Sequence, residues 1–391
     1  MARILLPPHG VERAEIVERV QGFRPAFCPW PDCLEHTRRA GPFRFSPHGS
    51  YRRADGSAVR RFCCLSCERT FSQQTFAFSY YLKRPELSVP IAKGLVAGSA
   101  HRQIARSLGC HHATVTRRAQ RLGRHAHLLH HLALREMTVR EPVIVDDFDT
   151  FAGSQYFPCT LPTATGSESW FVYGSGFARE RRRGHMSPVQ RRRRAQLERR
   201  HGRPEAGVVT RAFRDLIKAL PGKPGTVLRL VADDDPAIRR AVRDIPNVRL
   251  KTYANPARGP KGSPRSPRAR ARDEAMFAND QLHRFLRHSE AAHRRETIAF
   301  GRSFNGRVER LALFRVWRNL VQARSERRPR DGTPAMRVGL TDTRWTWHNV
   351  MAERLFPGRS GIGEELMSLY RRALVTPLLR SETRHVLKHA F

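Results

Sequence analysis

Apolar positions along the chain follow two rhythms. Between residues 88 and 132 they recur at helical spacing: Ile104, Ala105 and Leu108 share a face, and Gly109 breaks the run. A second helix is predicted from about Ala113, packing through Val115, Ala119 and Leu122. Further on, apolar runs of strand length end in acids. The run at 143–145 leads into Asp146, Asp147 and Asp149, and the run at 227–232 leads into Asp233, Asp234 and Asp235. Asp235 before Pro236 reads as a helix cap. The stretch NDQLHRFLRH reads as a helix with Asp280, His283, Arg284 and Arg287 on one face. A long helix is predicted over 306–328, with Leu311, Phe314, Trp317 and Val321 as its packing stripe, and shorter helical pieces follow from residue 334.

These rhythms divide the chain into a cysteine-bearing unit at 20–78, a helix pair at 88–132, an α/β unit at 140–325 and a helical appendage at 334–391. Two basic stretches interrupt the α/β unit. Residues 179–205 have too few apolar positions for a core and read as an exposed insertion, and 254–275 is a Pro- and Gly-rich loop.

Charge narrows the partner. The 391 residues carry 72 Lys and Arg against 35 Asp and Glu, a net charge of +37, which calls for a polyanion. Arginine dominates, and its planar fork suits phosphates and base edges. Double-stranded DNA is therefore the expected partner, with Thr114, Thr116, Arg117, Arg118 and Arg121 on the second helix as candidates for its contacts. An RNA-associated structural role lacks a stacking motif. The histidines from His125 to His131 have no clean ligand spacing and read as surface or linker.

Seven cysteines, odd in number and clustered, suit thiolate ligands in a reducing compartment better than disulfides. Cys28 and Cys33 form one short hairpin, Cys64 and Cys67 a second, and four thiolates close one tetrahedral zinc site. Cys63 competes with Cys64, which has the better two-residue spacing to Cys67, and His36 is a possible substitute. The opening MARILLPPHG shows no secretion signal, no segment has the length to span a bilayer, and a cytoplasmic, nucleoid-associated location is expected.

The acids at the ends of two apolar strands, with the helix near 280, could converge on one or two divalent ions, the arrangement that clamps a phosphodiester. At this point the chain resembles insertion-sequence transposases, which carry an N-terminal zinc ribbon, a helix-turn-helix and a ribonuclease-H-like domain with a mixed sheet and three catalytic acids. The residues that carry the resemblance are RTFSQQT after the second cysteine pair, DDFDTFAGSQ, VADDDPAI, and the helix holding Asp280 with ETIAFGRS behind it, within about residues 25 to 325.

The resemblance implies that Asp146, Asp233 and Asp280 hold Mg²⁺ or Mn²⁺, with His283 and Arg287 orienting a carboxylate or phosphate oxygen. It also implies strand nicking followed by joining, and a homodimer or larger synaptic assembly. Asp280 stands where the family has Glu, His283 where it has Asn, and Glu274 is the substitute for Asp280. The competing expectation is a DNA-binding regulator of the same descent without chemistry.

Overall fold

The computed structural model describes residues 22–377 apart from 54–55, 223–224, 258, 261 and 295–298. The opening MARILLPPHG, Glu296 to Ile298 of the ETIAFGRS stretch and the last fourteen residues of the appendage lie outside the described residues. The molecule is multidomain α/β, with a mixed sheet and many helices. Among the described residues no helix is long and apolar enough to cross a membrane.

The first unit is a three-stranded antiparallel sheet, β1 (Phe45–Arg52), β2 (Ala58–Cys64) and β3 (Thr70–Ser72). Phe43, Phe62 and Phe71 pack with the cysteines into a core too small to be stable by burial alone.

Helices α1 (Ser88–Val96), α2 (His101–Ser107) and α3 (His112–Arg135) follow. Gly109 sits at φ +56 in the turn between α2 and α3, a left-handed conformation that ends α2 as the sequence predicts. Ile104 and Ala105 are buried, as are Val115, Ala119 and Leu122. Helix α3 then runs on for 24 residues, and this corrects one expectation: His125, His127 and His130 are buried, and His130 Nε2 lies 2.9 Å from the Val172 carbonyl. Burial holds His127 down to about 3, so it is a neutral core side chain.

The mixed sheet has β4 (Val143–Phe151) at its centre. β5 (Pro158–Gly166) and β6 (Val172–Ser175) extend it antiparallel on one side, with the short β7 (Ala178–Arg179) also on β5. β8 (Leu228–Asp233) and β9 (Val248–Tyr253) extend it parallel on the other.

Six helices accompany this sheet: α4 (Pro188–His201), α5 (Val208–Lys218), α6 (Pro236–Val242), α7 (Pro267–Ala275), α8 (Phe277–Ser289) and α9 (Phe304–Val316). Strand alternation sorts their contacts. Val143 and Val145 share a core with Phe213, Leu216 and Ile238 of α5 and α6. Ile144 packs with Met276 and Ala278, and Phe148 with Leu282, Leu286, Leu311 and Phe314 of α8 and α9.

Three further expectations are amended. The basic insertion is not a loose arm: Ser187 caps α4, and Leu197 is buried with Phe157, Cys159 and Phe304. The helix predicted over 306–328 ends sooner, α9 passing into a π-helical turn at Trp317–Val321. The residues after 334 are no free appendage. Trp345, Trp347 and Val350 join the main core, and α10 (Glu364–Tyr370) follows. Arg359 donates to the His36 carbonyl and lies 4.0 Å over Phe27, tying this segment to the cysteine unit.

Candidate metal centre and acidic cleft

The Sγ atoms of Cys28, Cys33, Cys64 and Cys67 lie within 4.8 Å of one another and could hold a metal ion. Cys28 to Cys67 is 3.7 Å and Cys33 to Cys64 is 3.8 Å. Zn–S bonds of about 2.3 Å in a tetrahedron put neighbouring sulfurs about 3.8 Å apart, whereas a disulfide needs about 2.05 Å. The donor set therefore fits structural zinc.

The second hairpin contributes Cys64, because Cys63 turns its thiol to the Glu68 carbonyl at 3.4 Å. His36 stays out of the set, with Nδ1 on the Cys28 carbonyl at 2.8 Å. Burial pushes the Cys28 and Cys33 thiols up, as expected of sulfurs packed together without a cation. Burial also opposes the Cys67 thiolate, but hydrogen bonds from the Arg69 backbone and guanidinium outweigh it and bring that thiol to about 7. Arg69 reaches Asp32 at 2.8 Å, linking the two hairpins.

The acids are arranged otherwise. Two residues beyond the paired Ile144 and Val231, where the ladder of β4 and β8 ends, the parallel strands carry Asp146 and Asp233, near enough for the charge of Asp233 to act on Asp146. Asp146 is 7% exposed, and burial, with the charges of Asp147 and Asp233, raises its carboxyl well above the usual range. Burial raises Asp233 too, followed by Asp235.

Strand alternation sends Asp147 and Asp149 the other way. With Glu180, Asp235 and the arginines Arg182, Arg194, Arg203 and Arg240 they line a second cleft of about 1110 Å³. Burial, then Asp149, Asp235 and Asp233, lifts Asp147 to about 7.

Helix α8 crosses the Asp146 face. Asp280, His283, Arg284 and Arg287 all line one cleft of about 930 Å³, as the helical spacing predicts, together with Asn255, Arg265 and Arg272. Asn255 donates to Asp233 at 3.1 Å, which puts that acid at the cleft's edge.

Asp280 lines the cleft with Asn255 and His283, the partners of Asp233 and Asp146, without forming a three-acid group within 4.8 Å. It forms a 2.5 Å ion pair with Arg272, whose charge also stabilises the carboxylates of Asp146 and Asp233. The α8 residues that face Asp146 are Asn279, donating to Oδ2 at 3.2 Å, and His283, with Nδ1 at 3.7 Å. Burial, then Arg287 and Arg272, holds His283 down to about 3. Arg287 donates to the main-chain carbonyls of Asp149 and His293 and lies 3.9 Å over Phe148. Glu274 is exposed and does not line the cleft.

Among the described residues, the cysteines alone bring three or more potential ligands within 4.8 Å of one another. Asp146, Asp233 and Asp280 do not form such a group.

The helix-pair candidates also separate. Arg117 is exposed and Thr114 half-buried, while Thr116 hydrogen bonds with His101 at 3.0 Å and the His112 carbonyl at 3.1 Å. Arg118 turns inward, 5% exposed, and donates to the Arg84 carbonyl. Arg121 lies over Phe78, and burial lowers its guanidinium to about 10. Arg102 and Arg106 on α2 are exposed and extend the basic surface beyond the residues singled out from the sequence.

No protein-family model matches the chain, and no curated protein matches it.

Proposed function

We propose that this protein is a DNA-processing enzyme of the transposase type: a zinc ribbon and helix-turn-helix grip the duplex, and a ribonuclease-H-like domain cuts and joins it. The observation that carries the reading is the placement of Asp146 and Asp233 on neighbouring parallel strands, near enough for their charges to act on one another, beside an arginine-lined cleft. The sheet order supports the same fold, with the first long strand central, two antiparallel neighbours on one side and two parallel strands on the other. The four sulfurs support the ribbon, and the α2–α3 pair with its Gly109 turn supports the helix-turn-helix.

In this reading Asp146 and Asp233 would hold Mg²⁺ or Mn²⁺, which supplies Lewis-acid stabilisation of charge on the phosphate. The chain's own part is to hold the two carboxylates fixed, through the Asp147 amide at 2.9 Å and Asn279 on Asp146, and Asn255 on Asp233. Arg284, exposed at the cleft, would reach backbone phosphates, whereas Arg265 is held by the Asp273 carboxylate at 2.6 Å.

A second reading has a specific observation behind it. The Asp280–Arg272 pair leaves two acids rather than three, as expected of a DNA-binding regulator that has lost its chemistry.

Nicking of supercoiled plasmid with Mg²⁺ or Mn²⁺ separates the two. The enzyme reading expects metal-dependent nicking that falls by about 100-fold or more in Asp146→Asn and Asp233→Asn. Asp280→Asn should lose less than about tenfold, and duplex affinity should persist in all three. A wild-type protein that binds duplex but nicks with neither metal overturns the enzyme reading in favour of the regulator.

A further inference from the structure

Helix α4 carries six arginines and one glutamate among its 14 residues, and the fold sorts them by face. Toward the protein, Leu197 is buried with Phe157, Cys159 and Phe304, and Glu198 takes Arg181 at 2.7 Å and Arg194 at 3.5 Å. Arg194 also donates to the Arg182 carbonyl at 3.0 Å, and Arg179 fastens the far end through the Gly202 carbonyl at 3.0 Å. Arg191, Arg192, Arg193, Arg199 and Arg200 are exposed, as is Gln196. Among the described residues no carboxylate pairs with any of these five, because the helix's one acid is taken up in holding it down.

Helix stability does not account for the exposed set. A helix start favours acids, yet α4 has none in its first turn and places three of the exposed arginines in its first half. Helical phase gathers the rest of the pattern. Arg192, Arg193, Arg199 and Arg200 surround Gln196 on the side turned away from Glu198, as two pairs seven residues and about 10.5 Å apart.

We infer that this outer face of α4 is a further grip on duplex DNA, one that meets the phosphate backbone without reading sequence. The helix is about 21 Å long and would lie along roughly a dozen duplex charges, enough for each of the four guanidiniums to meet a phosphate. Other partners fit less well. The face has no aromatic side chain on which a single strand could stack. Val189 is its sole exposed large apolar residue, too little to anchor a protein or to enter a bilayer surface.

The surface is separate from those described above. No α4 residue lines the Asp146 cleft, whereas Arg194 and Arg203 continue the basic surface into the second cleft beside Asp147. The inference rests on the duplex partner of the proposed function and not on its chemistry.

The test is the salt dependence of binding between full-length, zinc-loaded protein and duplexes of two unrelated sequences, without added Mg²⁺ or Mn²⁺. Arg192→Gln, Arg193→Gln, Arg199→Gln and Arg200→Gln combined should keep the far-UV circular dichroism, since glutamine forms helix about as well as arginine. Affinity should fall by about 100-fold at about 0.1 M salt, and the slope of log affinity against log salt by about 3, equally on both duplexes.

A slope change below about 1, a loss confined to one sequence, or a loss on single-stranded RNA with duplex affinity kept overturns the inference. If the variant does not fold, wild type decides. Duplex should protect Arg192 and Arg199 from glyoxal modification, read by mass spectrometry, and equal modification with and without duplex overturns the inference. Wild type that binds duplex through this face but never nicks loses the enzyme reading alone. Nicking with an unchanged salt slope in the variant loses this inference alone.

Discussion

The cysteine cluster and the acidic cleft are both sets of potential metal ligands gathered from distant stretches of chain, yet they are finished to different degrees. The sulfurs gather within 4.8 Å of one another, two of the pairs at tetrahedral edge distance, with the Arg69 guanidinium reaching Cys67. The carboxylates come from β4, β8 and α8 and already have partners, Arg272 for Asp280 and amides for Asp146 and Asp233. The first arrangement could hold an ion. The second is a satisfied network that stands without one, so any ion it takes must compete with groups the protein supplies itself.

The largest effect expected of this contrast is at the sulfurs. Cys64→Ser should lose the bound zinc and unfold residues 22–78, because binding energies of about 10–16 kcal/mol per structural zinc are folding energy for so small a core. Cys63→Ser should keep one zinc per chain, measured by metal analysis and far-UV circular dichroism. Equal zinc loss from both variants would break the assignment of the fourth ligand.

Arg272→Met tests the other half. Removing the resident cation should lower stability by about 1–3 kcal/mol at pH 8, and Mg²⁺ should restore part of it, read as a melting temperature that now depends on Mg²⁺. A variant indifferent to Mg²⁺ would mean that Arg272 is not what offsets these acids.

The smallest effect is a pH dependence. Asp147 titrates near 7 in the fold against about 4 in the unfolded chain. The native state therefore binds the proton more tightly, and stability falls as pH rises from about 4 through about 7. Asp147→Asn should match wild type near pH 4 and exceed it increasingly as pH rises to 8 in urea titrations. A constant difference across that range would show that the site does not titrate as described.

What the sequence disclosed follows the range over which each feature is built. The cysteine hairpins were legible because two residues of spacing decide whether sulfurs share an ion, and the Gly109 turn because it needs a left-handed residue. Strand ends bearing Asp146 and Asp233 stood out as apolar runs stopping at acids. Asn279 did not, since nothing in a single helix says which of two adjacent polar residues the sheet will meet, although its four-residue spacing to His283 was available.

Charge misled where period would have served. Arg118 lies three residues after Val115 and four before Leu122, on the packing stripe, and it is buried there. The histidines of α3 were misread for the same reason, composition having outweighed helical phase.

Helix α3 finally has a mechanical meaning. Its 24 residues form one rod about 36 Å long, close to one turn of B-form DNA. Gly123 seats it so tightly on Glu309 that an added Cβ would meet that backbone at 2.7 Å, and His130 fastens it to the edge strand β6. A lever locked in this way has no hinge. Whatever its outer end meets is presented to the sheet at one reach and one angle, so under the proposed function the rod would act as a ruler between a recognised sequence and the bond beside Asp146. One residue inserted into its shaft would turn the grip by about 100° and shift the graduation rather than merely weaken the hold.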